Sequence, residues 1–192
     1  MKFLSTTINL LCAALILAVS SDGARAGEAK ATALVATPMQ VKAAYLYNFS
    51  LFVEWPSGSF ESDTSDIRLC VLGDDPFGNL LEQTLRDRQA KGRKFNIRRS
   101  KSPQELLGCH ILYVSPSGGN HEQLRKITGA NTLIVGDAPG LAEKGAILNF
   151  FTEDQRIRFE VNIASARKSG FIISARMLQV ARMVGEDAGG GQ

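Results

Sequence analysis

Short apolar runs of β-rich composition alternate with helical stretches along most of this chain, and that alternation limits its fold more than any other feature. The runs are Ile67–Leu72, His110–Val114, Thr132–Val135 and Ala146–Phe151, and the first three close at Gly73, at Ser115 and at Gly136-Asp137. Largely apolar runs of this length fit strands covered on both faces, and parallel strands need a crossover between them, usually a helix. The segments before the third of these runs supply such crossovers. Pro76–Arg88 reads as a helix capped by Asp75, Pro103–Leu107 as a helical turn and His121–Ile127 as a helix, with Lys94–Arg98 as a further strand. Arg156–Val161 alternates, with Ile157, Phe159 and Val161 on one side and Arg158 and Glu160 on the other. Thr152–Gln155 joins it to the preceding run as a hairpin, which makes that edge antiparallel. With right-handed crossovers the expected fold is a three-layer α/β domain: a mostly parallel sheet flanked by helices, with an antiparallel edge.

The ends of the domain follow from capping chemistry. Pro38 suits the first position of a helix with Thr37 as its cap. Val41, Ala44, Tyr45, Phe49, Phe52 and Val53 then recur on one helical face, and Trp55-Pro56 ends the helix. Tyr47 and Leu51 lie off that stripe, free to meet either the core or a second copy of the chain. Near the C-terminus Phe171–Ile173 reads as a short strand. Ser174 caps a last helix with Met177, Leu178, Ala181 and Val184 inward, and a flexible Gly-rich tail covers 185–192.

The first residues are not part of that domain. A basic start is followed by ten apolar residues, Leu10–Val19, and then by Ala24-Arg25-Ala26. Ten helical residues rise about 15 Å, half of a hydrocarbon core. The pattern is that of a secretory signal peptide over 1–26, cut after Ala26, with a loose leader over 27–37. A composition of 44% hydrophobic and 21% charged residues excludes disordered, collagenous and multi-spanning classes, and a net charge of +3 names no polyanionic partner. Export places the mature chain in an oxidising compartment. There its two cysteines, Cys70 and Cys109, read first as a disulfide. The rival reading, a metal site with His110, lacks a fourth ligand at a recognisable spacing.

Catalytic signatures are missing. There is no G-x-S-x-G, G-x-G-x-x-G, P-loop or H-E-x-x-H. His110 opens a buried strand and is read as packed; His121 starts a helix and is read as solvated. An open parallel sheet binds ligands beyond the carboxyl ends of its strands, which makes Asp74, Asp75, Ser115 and Asp137 the candidate ligand pocket. The acidic pair Asp74-Asp75 resembles the pocket of phospho-receiver domains. However, Ser115 stands at the phospho-acceptor position, and no lysine closes a later strand. Asp75 and Asp137 also have a plainer use as a helix cap and a turn starter. Eight basic residues crowd 86–101 (Arg86, Arg88, Lys91, Arg93, Lys94, Arg98, Arg99 and Lys101) with only Asp87 against them. They form either a solvated helix end and edge strand, or a face for anionic lipid or an acidic partner.

Six segments, in order, are similar to the signatures of the YfiR-like (YfiR/HmsC type) periplasmic proteins. They are Val41–Pro56 (VKAAYLYNFSLFVEWP), Cys70–Gly78 (CVLGDDPFG), Cys109–Ser115 (CHILYVS), Leu133–Asp137, Ile157–Asn162 and Ile173–Leu178. The resemblance spans roughly 38–184, which is then a single YfiR-like α/β domain. It implies a periplasmic repressor, often a homodimer, that binds the periplasmic domain of an inner-membrane diguanylate cyclase and so controls cyclic di-GMP and biofilm formation. An OmpA-like outer-membrane lipoprotein sequesters the repressor in such systems. The family disulfide maps onto Cys70 and Cys109; a second pair found in some members is lacking. No enzymatic activity, cofactor, metal or nucleic-acid partner is expected. For partner contact the candidates are Trp55, Ser57 and Phe60 in one loop, with Asn162, Arg167 and Arg176. The alternatives are a small-ligand sensor using the strand-end pocket and a periplasmic hydrolase, the latter without an identifiable nucleophile.

Overall fold

The computed structural model describes residues 36–119 and 129–185. The expected signal peptide, its cleavage site, nearly all of the leader, the helix at His121–Ile127 and the tail from 186 lie outside the described residues.

The first helix, α1 (Pro38–Phe52), opens as its sequence dictates. The Thr37 hydroxyl accepts the Gln40 N–H at 3.2 Å, and the Gln40 side chain accepts the Thr37 N–H at 2.7 Å. The two bonds satisfy orphan donors reciprocally. Its buried face is displaced from the expected stripe. Lys42, Ala43, Leu46, Phe49 and Ser50 are buried, whereas Val41, Ala44, Tyr45 and Phe52 are half-buried. Apolar residues occupy nearly every side of this helix, so periodicity does not single out a face. Tyr47 and Leu51 pack on the core flank, with the Tyr47 ring 6.0 Å from Phe95. The helix also stops earlier than Trp55-Pro56. Val53–Glu54 leave it to form β1, which pairs antiparallel with β8 (Ile172–Ile173) in a separate two-stranded sheet.

The main sheet has seven strands: β2 (Ile67–Leu72), β3 (Phe95–Ser100), β4 (Ile111–Val114), β5 (Leu133–Gly136), β6 (Leu148–Glu153), β7 (Arg156–Asn162) and β9 (Arg182–Val184). Their spatial order is β3-β2-β4-β5-β6-β7-β9. The first five are mutually parallel; β7 runs antiparallel to β6, and β9 parallel to β7. The expected mostly parallel sheet with a reversed edge is what the chain adopts. Asp154 and Gln155, at φ +48° and +59°, form the two-residue turn between β6 and β7.

Two predicted helices are shorter than expected. Instead of Pro76–Arg88, α2 covers Leu80–Leu85. Gly78 at φ +53° lies outside helical geometry, and Asp75 accepts the Phe77 N–H at 2.8 Å in a turn rather than capping a helix. At the other end Ser174 caps α4 (Ala175–Leu178) by accepting the Met177 N–H. Beyond it Arg182–Val184 extend as β9, because the free edge of β7 offers Glu160, Val161 and Asn162 as pairing partners. A short α3 (Ile163–Lys168) and a 3-10 turn (Pro103–Leu106) complete the described elements.

Strand alternation divides the core in two. Leu69, Val71, Ile111, Tyr113, Leu133 and Val135 face α1 and α2 and join Phe49, Phe77, Phe150 and Phe159. Cys70, Leu72, Leu112, Val114 and Ile134 face the opposite side, where Leu106, Cys109, Leu141 and Ala146 meet them.

Candidate functional site

The two cysteines are joined. Cys70 in mid-β2 and Cys109 just before β4 form a disulfide, with Cα atoms 6.0 Å apart. Both are buried. The bridge uses both sulfurs and leaves no thiolate pair for the rival metal site.

On the α1 face lies a polar group that the sequence reading missed. Lys42 projects from the buried side of α1, and its ammonium donates to both Asp137 carboxylate oxygens at 2.7 and 2.6 Å. The Tyr113 hydroxyl, from β4, donates to the same carboxylate. The Lys42 and Asp137 side chains are only 10% and 12% exposed, so the pair is held largely out of water. Burial pushes the Tyr113 hydroxyl well above the usual phenol range, and the neighbouring Asp137 charge adds to it. The one available signal is that Lys42 is the sole charged residue of α1; its partner lies far along the chain.

The candidate pocket residues are placed as follows. Asp74 is exposed, pairs with Lys101 at 2.7 Å, and donates its backbone N–H to Ser117 Oγ. The Lys101 hydrogen bond holds its carboxyl below the usual carboxylate range. Asp75 pairs with Arg99 at 2.7 Å, and the same guanidinium reaches Glu82. Ser115 is buried with its hydroxyl 3.1 Å from that of Ser117. Gly73, at φ +93°, lets the backbone pass here: a Cβ would lie 2.3 Å from the Ser115 hydroxyl. Asp137 turns away to Lys42. Each of the three carboxylates thus faces a cation of the chain itself.

The loop proposed for partner contact is anchored by aromatic packing. Trp55 donates its indole N–H to the His110 carbonyl at 3.2 Å, and its ring meets Phe60 and Phe171 edge-on. Phe60 stacks on His110 at 4.2 Å, with the Arg93 guanidinium 3.9 Å from its ring. His110 is packed, as expected. Its Nδ1 accepts the Arg68 N–H at 2.9 Å and Nε2 donates to the Ser59 carbonyl at 3.1 Å. Burial, reinforced by the Arg68 charge, lowers its pKa to about 4. Ser57 is exposed on a cleft of about 500 Å³ lined by residues 56–63 and Arg93. Arg167 and Arg176 are exposed.

Asn162 is no surface residue: it is 5% exposed, accepts the Ser165 N–H as the cap of α3 and donates to the Ala142 carbonyl. Expecting it at a contact surface is corrected by this capping role. A second cleft, of about 480 Å³, lies between Phe151, Glu153 and Arg158 on one side and 179–182 on the other. Arg182 stacks 3.9 Å over Phe151 there and pairs with Glu153.

Comparison with known proteins gives one family. A family model described as YfiR/HmsC-like matches residues 39–182. No curated protein matches. Among solved structures, a conserved domain protein from Vibrio cholerae O1 biovar El Tor superposes with a TM-score of 0.53 at 13% identity, covering 77% of this chain and 60% of that one. An ABC domain from Streptococcus pneumoniae, solved in complex with L-Trp, gives 0.50 at 10% identity with the same coverages. The chain therefore spans about 60% of the length of these two structures, and the likeness is one of fold.

Proposed function

This chain belongs to the YfiR/HmsC-like family, and from that premise we propose that it is a periplasmic repressor that docks on the periplasmic domain of an inner-membrane diguanylate cyclase and lowers cyclic di-GMP. The match over 39–182 carries this reading, because it takes in almost the whole described fold. The buried Cys70–Cys109 bridge supports it, since such bridges persist in oxidising compartments.

Repression then works by population shift. The repressor binds the cyclase's inactive state more tightly than its active state and draws the equilibrium toward it. A surface that docks gains from being preformed, and the Trp55–Phe60 loop has that quality. Its aromatic rings are anchored on His110 and Phe171 while Ser57 stays exposed at the rim. Arg167 and Arg176 offer exposed cations for the same contact. A homodimer and an OmpA-like outer-membrane lipoprotein that sequesters the repressor complete the proposed system. The small-ligand reading gains no support from the strand ends, where Asp74, Asp75 and Asp137 already face Lys101, Arg99 and Lys42.

The test is affinity capture of solubilised membranes on the purified protein. Retention of a membrane protein that joins a periplasmic domain to a diguanylate cyclase domain is the expected result, with weaker retention by Arg167→Glu or Arg176→Glu. Capture that never includes such a protein would overturn the proposal.

A further inference from the structure

The basic stretch at 86–101 is only partly absorbed by ion pairs, and one part of it is built as a surface. Side chains alternate along the edge strand β3, so Lys94 and Arg98 share a face with Asn96 between them. The ladder already includes Lys94, whose carbonyl accepts the Ile67 N–H at 2.8 Å. Asn96 stands opposite Arg68 of β2 in register, which puts Arg68 on the same face. Lys94 and Arg98 lie about 13 Å apart along the strand, and Arg68 sits about 4.8 Å inward.

Two of these cations are fixed. Arg98 donates to the carbonyls of Glu105 and Leu107, and Arg68 donates to the Gly108 carbonyl at 2.6 Å. Together they brace the turn that carries Leu107, which is 50% exposed. The exposed Lys94 ammonium has no hydrogen-bond or ion-pair partner among the described residues. Among the described residues Glu61 is the one carboxylate paired with this group, and it holds Arg68 from a side chain that is itself 75% exposed.

We infer that this face is a docking site for an anionic lipid surface, with the three cations meeting headgroup phosphates and Leu107 entering the boundary between headgroups and acyl chains. The combination decides the occupant. An acidic peptide answers the cations but leaves the leucine against polar chain. A hydrophobic protein answers the leucine but desolvates Lys94 and Arg98 without counter-charge. A bilayer surface offers phosphate and hydrocarbon within a few ångströms of each other. A contact made by surface cations and one leucine is peripheral, reversible and screened by salt.

Co-sedimentation with lipid vesicles tests this, using the protein in the form that accumulates in cells. Wild type is expected to pellet with vesicles of two parts phosphatidylcholine to one part phosphatidylglycerol, but not with phosphatidylcholine alone, and to be released at about 0.5 M salt. Lys94→Gln is expected to lower the partition coefficient about fivefold, and Leu107→Ser to lower it as well. Both positions are exposed, and all three proteins share one N-terminus, so any effect of the leader cancels. Equal binding to both vesicle types, or equal partition by the variants and wild type, overturns the proposal. Retention on polyglutamate beads without retention on the mixed vesicles assigns the face to an acidic protein and overturns it too.

Discussion

The two faces of the sheet are held by different physics. Toward α1 and α2 the core contains Phe49, Phe77, Tyr113, Phe150 and Phe159, and it encloses the Lys42–Asp137–Tyr113 group. On the opposite face the described core residues are aliphatic or cysteine, and the Cys70–Cys109 bridge lies among them. One face depends on a directional polar contact that exists only in the folded state. The other carries a covalent link that constrains the unfolded chain as well. Loss of Lys42 should therefore act on the native state, and loss of the bridge chiefly on the denatured one.

The largest effect is expected from Lys42→Ala. It leaves Asp137 buried without its counter-charge, which costs about 3–5 kcal/mol. Urea denaturation checks this, and the double variant Lys42→Met, Asp137→Asn should recover much of the loss. A cost below about 1 kcal/mol for the single variant would show that the pair does not secure the α1 face. Next comes Cys70→Ser with Cys109→Ser. The cysteines are 39 positions apart, and closing a loop of that size contributes about 3–4 kcal/mol in the chain-entropy model. Dithiothreitol should lower the melting temperature of wild type and leave that of the double variant unchanged.

Acid probes the joint between the loop and the sheet. The His110 pKa falls to about 4 in the fold from an ordinary 6.5. Between those values the unfolded chain binds a proton that the folded chain refuses, so stability rises with pH across this window and is lost as pH falls through it. The loss approaches about 3 kcal/mol near pH 4. Protonation removes the Nδ1 lone pair that accepts the Arg68 N–H. Denaturation of wild type and His110→Gln at pH 7 and pH 4 should show a smaller acid loss in the variant. The smallest effect is expected for Tyr113→Phe, which removes one hydrogen bond to a carboxylate, at about 2 kcal/mol.

Local chemistry is legible in the sequence, and, the disulfide aside, long-range side-chain pairing is not. Thr37-Pro38 announced the start of α1, and Ile67–Leu72 is a strand with the bounds that its apolar run predicts. The Cys70–Cys109 bridge was readable because no other cysteines remain after the leader. The phase of α1 was hidden, since a helix apolar on most sides gives periodicity little to work with. The role of Lys42 is hidden too, because only contact with Asp137, 95 positions away, makes a buried lysine tolerable. The pattern up to Val184 reads as helix, because the pairing energy of β9 comes from the edge of β7, which no local pattern in 182–184 reveals. Within the site, nothing local distinguishes Asn162 as a surface side chain from the buried cap of α3 that it is.

Cyclic di-GMP, quantified in otherwise identical cells with the gene intact, deleted and restored, reads the proposed function directly. Deletion should raise the nucleotide, restoration with wild type should bring it down again, and restoration with Cys70→Ser should fall short. Levels that stay the same in all of these strains would contradict repression of a cyclase by this chain.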